Sequence, residues 1–481
     1  MLNRIPRVPA RSLLCLLLGA VALLAQAQST LPGAVQRALA EAKIPSAGVA
    51  VVVQEVGVHH EILRANAAAP MNPASVMKLV TTFAALDQLG PAYRWKTEAY
   101  ISGTLADGVL DGDLALKGYG DPKLTLESFW LLLRNLRERG LRDIRGDLVL
   151  DRTYFEPREH DPGRFDGEPL RPYNVGADAL LVNYKSVRFN FIPEVDANAV
   201  RVGLEPHMQP LEVINLLRLA NGPCGDWREK IRADFNPLPS PQRGVRAIFA
   251  GTYPESCGER DWHVALLEPQ AYLEGLFREL WEELGGRWGG SAREGSVPPQ
   301  ARLLYSHESE TLAEAVRDMN KFSNNVMARQ IYLTMAAESA GAPARRAAAL
   351  QAVQGWLARR RMDFPELQIE NGSGLSRTDR ISAQHLAELL DVAFQSAVMP
   401  EFVASMPLVA VDGTMRKRLK GEPVAGHSHM KTGTLNDVRA MAGYVLAASG
   451  RRYVVVMLVN HPNSGEAQPA MDSLLSWVYG R

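Results

Sequence analysis

The sequence predicts an α/β protein in which an antiparallel sheet covered by helices is interrupted by a large β-rich insertion. Three observations predict this. Helical segments and a Val-rich strand open the chain, short alternating segments fill residues 96–299, and helices followed by strands return from residue 300. Apolar spacings of three to four indicate helices and alternation indicates strands. We therefore expect a discontinuous domain, residues 28–95 and 300–481, around an insertion, residues 96–299, whose division into two nested subdomains is left open.

Composition places the chain among ordinary globular proteins. It has 481 residues, 46% of them hydrophobic and 22% charged, and its 53 basic residues balance 53 acidic ones. The length suggests about three structural units at roughly 150 residues each. A net charge of zero provides no basic surplus for a polyanion, so nucleic acid is not an expected partner.

Residues 1–27 are expected to be a secretory signal. Arginines at positions 4, 7 and 11 precede an apolar run at 13–24, and small residues follow at 25 and 27. The run is shorter than the ~20 residues that a membrane-spanning helix needs. We expect the rest of the chain to be exported to the periplasm without a transmembrane anchor.

Two cysteines, Cys224 and Cys257, follow this signal. In an oxidising compartment they form the only possible pair, and their disulfide would stabilise the fold by roughly 4 kcal/mol. The alternative is that both are buried thiols.

The first segment should contain a helix, a strand and a second helix. The pattern at 32–42 predicts an amphipathic helix, and the Val-rich run 49–56 predicts a buried strand. The second helix should have Asn72 as N-cap and Pro73 at its first position, and should end before Gly90.

The last segment should complete the sheet. Three strand candidates, at 429–435, 441–448 and 453–460, are followed by a final helix at 467–479. The last two strands resemble a hairpin, and the helix would cover the sheet.

The predicted second helix carries a candidate nucleophile and base. A helix brings residues three apart onto one face, so the Lys78 amine would lie beside the Ser75 hydroxyl. The positive end of the helix dipole also favours an alkoxide and a neutral amine. A second such spacing, Ser428 and Lys431, lies in a predicted strand, where residues three apart point to opposite faces. That second pair is therefore not expected to act as a dyad.

Two further motifs follow in the chain. Ser323-Asn324-Asn325 taken alone is typical of a polar helix cap or turn. Lys431-Thr432-Gly433 places an amine, a small hydroxyl and a glycine on a strand, which suits a substrate with a carboxylate lying along a sheet edge. The order of the three motifs is more informative than any one of them.

That order resembles the serine acyltransferases that interact with penicillin, namely DD-peptidases and serine β-lactamases. Further segments resemble one subgroup, the class C low-molecular-mass penicillin-binding proteins, which are D-alanyl-D-alanine carboxypeptidases and endopeptidases. These segments are 73–78, 118–122, 319–325, 372–377, 412–414 and 431–435. The long gap between Lys78 and Ser323 also matches, because inserted domains fill it in that subgroup. Two departures are Asn371, where Asp is expected, and Asn436, where some members carry Gln.

The resemblance implies a transpeptidase-like fold with an all-helical part, and an acyl-enzyme mechanism. Ser75 would attack the carbonyl of the penultimate D-Ala, Lys78 would be the general base, and Ser323 would relay a proton to the leaving amine. Asn325 would hold the substrate amide, and Lys431 would attract the terminal carboxylate.

The resemblance also implies the surroundings of the substrate. The oxyanion would lie between the backbone N–H groups of Ser75 and Thr434, a type of arrangement that contributes ~3 kcal/mol or more. Thr432, Gly433 and Asn436 would line the substrate. No cofactor is implied, and His427 and His429 lack a third metal ligand nearby, so no metal site is expected.

A side-chain pocket is the most specific expectation. The resemblance assigns Asp151 as its acid, with Phe155 beside it, and Arg377 as its base, for the diamino acid that precedes the D-Ala pair in peptidoglycan stem peptides. The alternative is that Asp151 caps a turn and Arg377 forms a surface ion pair.

Two other functions stay open at this point. A serine β-lactamase shares the three motifs but is usually compact, and the insertion counts against it. A peptidoglycan-binding protein without turnover would not need the complete set of Ser75, Lys78, Ser323, Asn325 and Lys431. We expect peptidoglycan stem peptides as substrates and β-lactams as inhibitors.

Overall fold

The computed structural model describes residues 30–481 apart from 59, 158–159, 210 and 240–243. The predicted secretory signal lies outside the described residues. Within them, no helix combines the length and the apolar composition needed to cross a bilayer.

The helices are numbered in chain order. They are α1 (Gly33–Glu41), α2 (Lys78–Leu89), α3 (Leu126–Glu138), α4 (Pro269–Glu283), α5 (Leu312–Lys321), α6 (Asn325–Ala340), α7 (Arg346–Arg359), α8 (Ala383–Phe394), α9 (Met399–Ser405) and α10 (Gln468–Tyr479).

The strands are numbered in the same way. They are β1 (Val49–Glu55), β2 (Glu61–Ala65), β3 (Arg94–Ala106), β4 (Val109–Gly118), β5 (Asp143–Ile144), β6 (Leu148–Asp151), β7 (Val187–Glu194), β8 (Ala199–Glu205), β9 (Leu211–Ala220), β10 (Ile231–Pro237), β11 (Val245–Pro254), β12 (Arg260–Val264), β13 (Arg287–Trp288), β14 (Ala292–Glu294), β15 (Arg302–Thr311), β16 (Ser428–Leu435), β17 (Val438–Leu446) and β18 (Arg452–Asn460).

The central sheet joins the two ends of the chain. Its order is β16-β17-β18-β1-β2, and all four pairings are antiparallel. β1 and β18 are buried along almost their whole length, which is why both read as continuous apolar runs rather than alternating ones. α1 and α10 pack on one face of this sheet in a shared apolar cluster. The predicted α/β class, with an antiparallel sheet covered by helices, is confirmed.

An all-helical part packs against the other face. α2 lies at its centre, and its residues from Lys78 to Leu86 are all buried. The Phe83 ring contacts Trp356 of α7 at 5.1 Å between centroids and Phe402 of α9 at 5.6 Å. This packing fixes the helix that follows Ser75.

The segment of the chain between α2 and α5 is rich in strands. One sheet contains β3, β4, β5, β6, β13, β14 and β15, and two three-stranded sheets have the orders β10-β11-β9 and β12-β7-β8. Strand β15, which follows the predicted boundary at residue 300, pairs with β3. The predicted boundaries after residues 95 and 299 stay a prediction. β15 lies after the second of them in the chain but pairs with a strand of the predicted insertion. Cys224 and Cys257 are joined by a disulfide within this segment.

Candidate active site

Ser75 lies in a short 3₁₀ helix, Ala74–Met77, immediately before α2. The prediction of a single helix starting at Pro73 is wrong in this detail, because Ala74 has a φ of +46° and the α-helix begins at Lys78. Pro73, not Asn72, is the residue that directly precedes the 3₁₀ helix. The Asn72 Oδ1 accepts a hydrogen bond from the N–H of Ala74, the first residue of that helix, at 2.9 Å. Residues three apart eclipse in a 3₁₀ helix, so Ser75 and Lys78 still face each other.

The Lys78 amine is fully buried and makes three polar contacts. Its Nζ lies 2.7 Å from Asn325 Oδ1, 2.6 Å from the Ser373 carbonyl oxygen and 3.1 Å from Ser75 Oγ. A neutral amine has two N–H groups and one lone pair. With the N–H groups donated to Asn325 and Ser373, the lone pair is left for the Ser75 hydroxyl.

The charge state of Lys78 is set by its surroundings. Burial, and after it the positive charges of Lys431 and Arg329, hold the pKa of Lys78 well below its usual range, while the carboxylate of Asp379 acts in the opposite direction. A lysine with a lowered pKa has a free lone pair at a lower pH. The site is therefore suited to removing a proton from Ser75.

The second motif forms the turn between α5 and α6. The Asn324 side chain caps α6 by accepting a hydrogen bond from the Met327 N–H at 3.0 Å, so the cap interpretation holds for this residue. Ser323 adopts a left-handed φ of +57° between the two helices. Its Oγ lies 2.9 Å from Lys431 Nζ. The turn thus brings Ser323 and Asn325 to the two lysines.

Lys431 is fully buried on the edge strand β16. Its Nζ donates to Ser323 Oγ and, at 2.7 Å, to the Thr432 carbonyl oxygen. Burial lowers the pKa of Lys431 to about 7. The Ser428 hydroxyl is buried without a hydrogen-bond partner among the described residues, in keeping with the prediction that Ser428 and Lys431 form no dyad.

Two glycines let the backbone approach Ser75 closely. A Cβ on Gly433 would lie 2.6 Å from the Pro73 carbonyl oxygen and 3.0 Å from the Ser75 nitrogen. A Cβ on Gly374, which has a φ of +77°, would overlap the Ala74 carbonyl oxygen. Ser75 is therefore held between β16 and the loop that contains Gly374.

The outer edge of β16 lies beside Ser75, and we call the space between them the cleft. The Leu446 N–H donates to His427 on the sheet side, whereas the Met430 N–H donates outward to Pro407, both at 2.8 Å. Since backbone groups alternate along an antiparallel edge strand, the N–H groups of Thr432 and Thr434 also face outward. The Thr434 N–H is thus available to a ligand beside Ser75.

The structure places Asp151 inside the fold. Its carboxylate is almost completely buried and accepts hydrogen bonds from the Thr153 N–H at 3.0 Å, the Thr153 hydroxyl at 2.6 Å and the Val297 N–H at 2.9 Å. Phe155 is buried in the main core, where its ring packs on Gly120. These contacts favour the alternative interpretation, in which Asp151 caps a turn.

Arg377 and Asn436 lie in segments that adjoin Ser75, Arg377 shortly after Gly374 and Asn436 directly after β16. Arg377 forms a half-exposed ion pair with Asp437 at 3.2 Å, as the alternative interpretation expects, and Asn436 is exposed in the turn between β16 and β17. The Arg377 guanidinium also lies 4.6 Å from the centre of the Phe165 ring.

Sequence reasoning missed three contributors to the site. Phe165 packs against an apolar cluster that includes Ala74 and Leu435, and no motif points to it. The Ser373 carbonyl and Thr414, whose hydroxyl lies 2.9 Å from that of Thr432, belong to segments that carried the resemblance but received no role. A backbone carbonyl leaves no signal in a sequence, so contacts of this kind require the structure.

No group of three or more potential metal ligands from His, Cys, Asp and Glu occurs among the residues that the structure describes.

Comparison with known proteins gives one family across almost the whole chain. Residues 31–478 match the D-Ala-D-Ala carboxypeptidase 3 (S13) family. The chain is 26% identical over 438 residues to the D-alanyl-D-alanine carboxypeptidase DacB of Haemophilus influenzae, covering 89% of this chain and 88% of that protein. It is 28% identical over 441 residues to a D-alanyl-D-alanine carboxypeptidase of Actinomadura sp. strain R39, covering 89% of this chain and 80% of that protein.

Solved structures give the same fold. Penicillin binding protein 4 of Haemophilus influenzae matches with a TM-score of 0.75 and 23% identity, covering 92% of this chain and all of that chain. A predatory endopeptidase of Bdellovibrio bacteriovorus matches with a TM-score of 0.53 and 15% identity, covering 90% of this chain and 94% of that chain. The predicted resemblance to the class C penicillin-binding proteins is confirmed.

Proposed function

We propose that this chain, which belongs to the D-Ala-D-Ala carboxypeptidase 3 (S13) family, acts through an acyl-enzyme on Ser75. It is a serine DD-peptidase. The observation that carries the assignment of Ser75 is the environment of Lys78. Its Nζ has acceptors in Asn325 and Ser373 for two N–H groups and lies 3.1 Å from Ser75 Oγ, where the lone pair of a neutral amine would accept the hydroxyl proton.

In the proposed first step, neutral Lys78 takes the hydroxyl proton of Ser75 as Oγ attacks the carbonyl carbon of the penultimate D-Ala. The tetrahedral oxyanion is stabilised by the N–H groups of Ser75 and Thr434, which are already oriented and need no reorganisation. The close approach of Gly433 to the Ser75 nitrogen supports this pairing.

In the second step the C–N bond breaks and the leaving amine gains a proton. Ser323 lies in hydrogen-bond contact with Lys431, so it can pass its proton to the amine and recover one from the lysine. Lys431 attracts the terminal carboxylate of the substrate, and Asn325 holds the amide. Water then hydrolyses the ester on Ser75.

We propose β-lactams as covalent inhibitors, because their ring carbonyl would meet the same nucleophile. Persistence of the label separates the related activities. Incubation with a fluorescent penicillin should give long-lived labelling for a DD-peptidase, whereas rapid loss of label would indicate a β-lactamase and no labelling a non-catalytic binder.

The first prediction tests Ser75 directly. Intact-mass analysis after penicillin treatment should show one adduct, and peptide mapping should place it on Ser75. Ser75→Ala should show none, while Ser428→Ala, the matched control from the second Ser-x-x-Lys spacing, should label normally. An adduct on Ser323, or undiminished labelling of Ser75→Ala, would contradict the assignment of Ser75 as the acylated residue.

We also propose that the mature enzyme works in the periplasm on peptidoglycan stem peptides. The predicted signal at residues 1–27 and the cell-wall chemistry of the family support this location. N-terminal sequencing of the protein recovered from the periplasmic fraction should begin at residue 28.

A further inference from the structure

Two exposed apolar side chains flank an ion pair beside the second motif. Phe322 is 72% exposed and Val411 is 57% exposed. Phe322 follows Lys321 and Val411 precedes Asp412, and the Lys321 Nζ lies 2.6 Å from Asp412 Oδ2. We call Phe322 and Val411 the apolar rim. Single exposed apolar residues are common on proteins, so the inference depends on where this pair lies and not on its exposure alone.

The apolar rim is held in a fixed place relative to the cleft. Ser323, the residue after Phe322, contacts Lys431, and Thr414 has its hydroxyl 2.9 Å from that of Thr432. A Cβ on Gly413 would lie 2.6 Å from the Lys321 carbonyl oxygen, so the backbones of the two segments also touch. Both segments therefore carry an apolar residue, an ion-pair residue and a residue of the cleft in close succession.

The proposed chemistry places the leaving group on this side. Ser323 gives its proton to the leaving amine, so whatever carries that amine must lie near Ser323. When the bond to a terminal D-Ala is cut, the leaving group is one small amino acid. When a cross-link is cut, the leaving amine ends the aliphatic side chain of a diamino acid, whose methylene groups extend beyond the cleft.

We propose that Phe322 and Val411, the apolar rim, bind the aliphatic chain of the leaving diamino acid in cross-linked stem peptides, an inference that rests on the proposed function. They are thereby specificity-determining residues for endopeptidase cleavage. In that reaction the Ser75 ester bond forms, the amide bond between D-Ala and the side-chain amine breaks, and the proton of Ser323 goes to that amine. Contact of methylene groups with a phenyl ring removes apolar surface from water, which a terminal D-Ala is too short to do.

The test compares two substrates in the same enzyme preparation. A cross-linked dimer of stem peptides and a monomeric pentapeptide are cleaved by wild type, Phe322→Ala and Val411→Ala. The ratio of kcat/KM for the dimer to that for the pentapeptide should fall about tenfold in Phe322→Ala. It should fall less in Val411→Ala, and Phe322→Leu should restore most of it.

Leu303→Ala and Val58→Ala are the matched controls, since these residues are 46% and 60% exposed and lie in β15 and in the turn after β1. Both should keep the wild-type ratio. An unchanged ratio in Phe322→Ala, or equal losses on the two substrates, would overturn the inference. So would a wild-type enzyme that cleaves the pentapeptide and not the dimer, whereas failure on both substrates would instead contradict the proposed function.

Discussion

At the scale of single residues, two buried lysines divide the acid and base chemistry. Burial is the main cause of the lowered pKa of both, and the charge of Lys431 lowers the pKa of Lys78 further. Like charges in one buried site favour the state in which only one of them is protonated. A neutral Lys78 beside a protonated Lys431 is the combination that the proposed mechanism requires.

The second prediction concerns Lys431→Met, which keeps an apolar stem of similar length and removes the charge. Activity requires neutral Lys78, so kcat/KM rises with pH through the pKa of Lys78. Removing Lys431 removes a repulsion that lowers this pKa, so the acid limb should move to higher pH. We expect kcat/KM for peptides with a terminal carboxylate to fall by about 100-fold.

The same variant should lose the basic limb of the profile. In the wild type, Lys431 loses its proton as the pH rises through about 7, and with it the attraction for the carboxylate. Lys417→Met, which removes an exposed lysine outside the three motifs, should keep both limbs. A Lys431→Met enzyme with a wild-type pH profile would show that the third motif is structural.

At the scale of elements, the site is formed where a 3₁₀ helix is held between a strand edge and a loop. Gly374 and Gly433 are needed there because side chains would meet the backbone of residues 73–75. The geometry of Ser75 is thus set by elements far away in the sequence.

The third prediction compares two glycines with nearly the same φ. Gly374 has a φ of +77° and Gly421 of +81°, but a Cβ on Gly421 would meet nothing within 4 Å. Gly421→Ala should cost about 1 kcal/mol of unfolding free energy, the expense of the left-handed conformation. Gly374→Ala should cost about 1 to 3 kcal/mol more, because Ala74 must also move.

Urea unfolding and the rate of penicillin acylation measure the two effects. Acylation should slow in Gly374→Ala and stay normal in Gly421→Ala, as Ser75 follows Ala74. Equal stabilities of the two variants would mean that the contact with Ala74 is not tight.

How far the sequence predicts these elements depends on how local their causes are. Four of the five strands of the central sheet and the order of the motifs follow from apolar patterns and residue types, and β16, β17 and β18 begin within a few residues of their predicted starts. The edge strand β2 is not predicted, because its short segment is only partly buried. The left-handed Ala74 could not be predicted, because contacts with Gly374 and Gly433 accompany it. Nor could the orientation of Asp151, since one of its donors is Val297.

At the scale of the whole molecule, the strand-rich segment is tied to the helix that carries Asn325. Gln330 of α6 is fully buried, its Oε1 accepting from the Asp178 N–H at 3.0 Å and its Nε2 donating to the Asp178 carbonyl at 2.8 Å. Nearby Arg329 donates to the Tyr173 carbonyl at 3.1 Å. The helix that begins at Asn325 and residues 173–178 of the strand-rich segment therefore hold each other in position.

Asp151 is a second tie, within the strand-rich segment itself. It ends β6, and its carboxylate accepts a hydrogen bond from the Val297 N–H at 2.9 Å and has the Lys117 amine of β4 at 3.7 Å. Burial alone would raise the pKa of Asp151, but the hydrogen bonds from Thr153 and Val297 hold it below its usual value. These partners stabilise the ionised form of the buried carboxylate in the folded state.

The last prediction is that Asp151→Ala weakens the fold rather than changing substrate choice. Removing the carboxylate leaves the Thr153 and Val297 N–H groups without their acceptor, which should cost about 2 to 4 kcal/mol of unfolding free energy. Because the lowered pKa makes this contribution one of the ionised form, it should be present near neutral pH and decline as acid protonates Asp151 in the wild type. Urea unfolding of wild type and variant across pH measures both effects.

Arg377→Ala is the control, because its half-exposed ion pair should contribute at most about 1 kcal/mol. Peptide cleavage and penicillin acylation by folded Asp151→Ala should be affected to the same extent, since the carboxylate is held by hydrogen bonds from Thr153 and Val297. An Asp151→Ala enzyme of wild-type stability that cleaves amine-bearing peptides slowly and reacts normally with penicillin would restore Asp151 to the side-chain pocket.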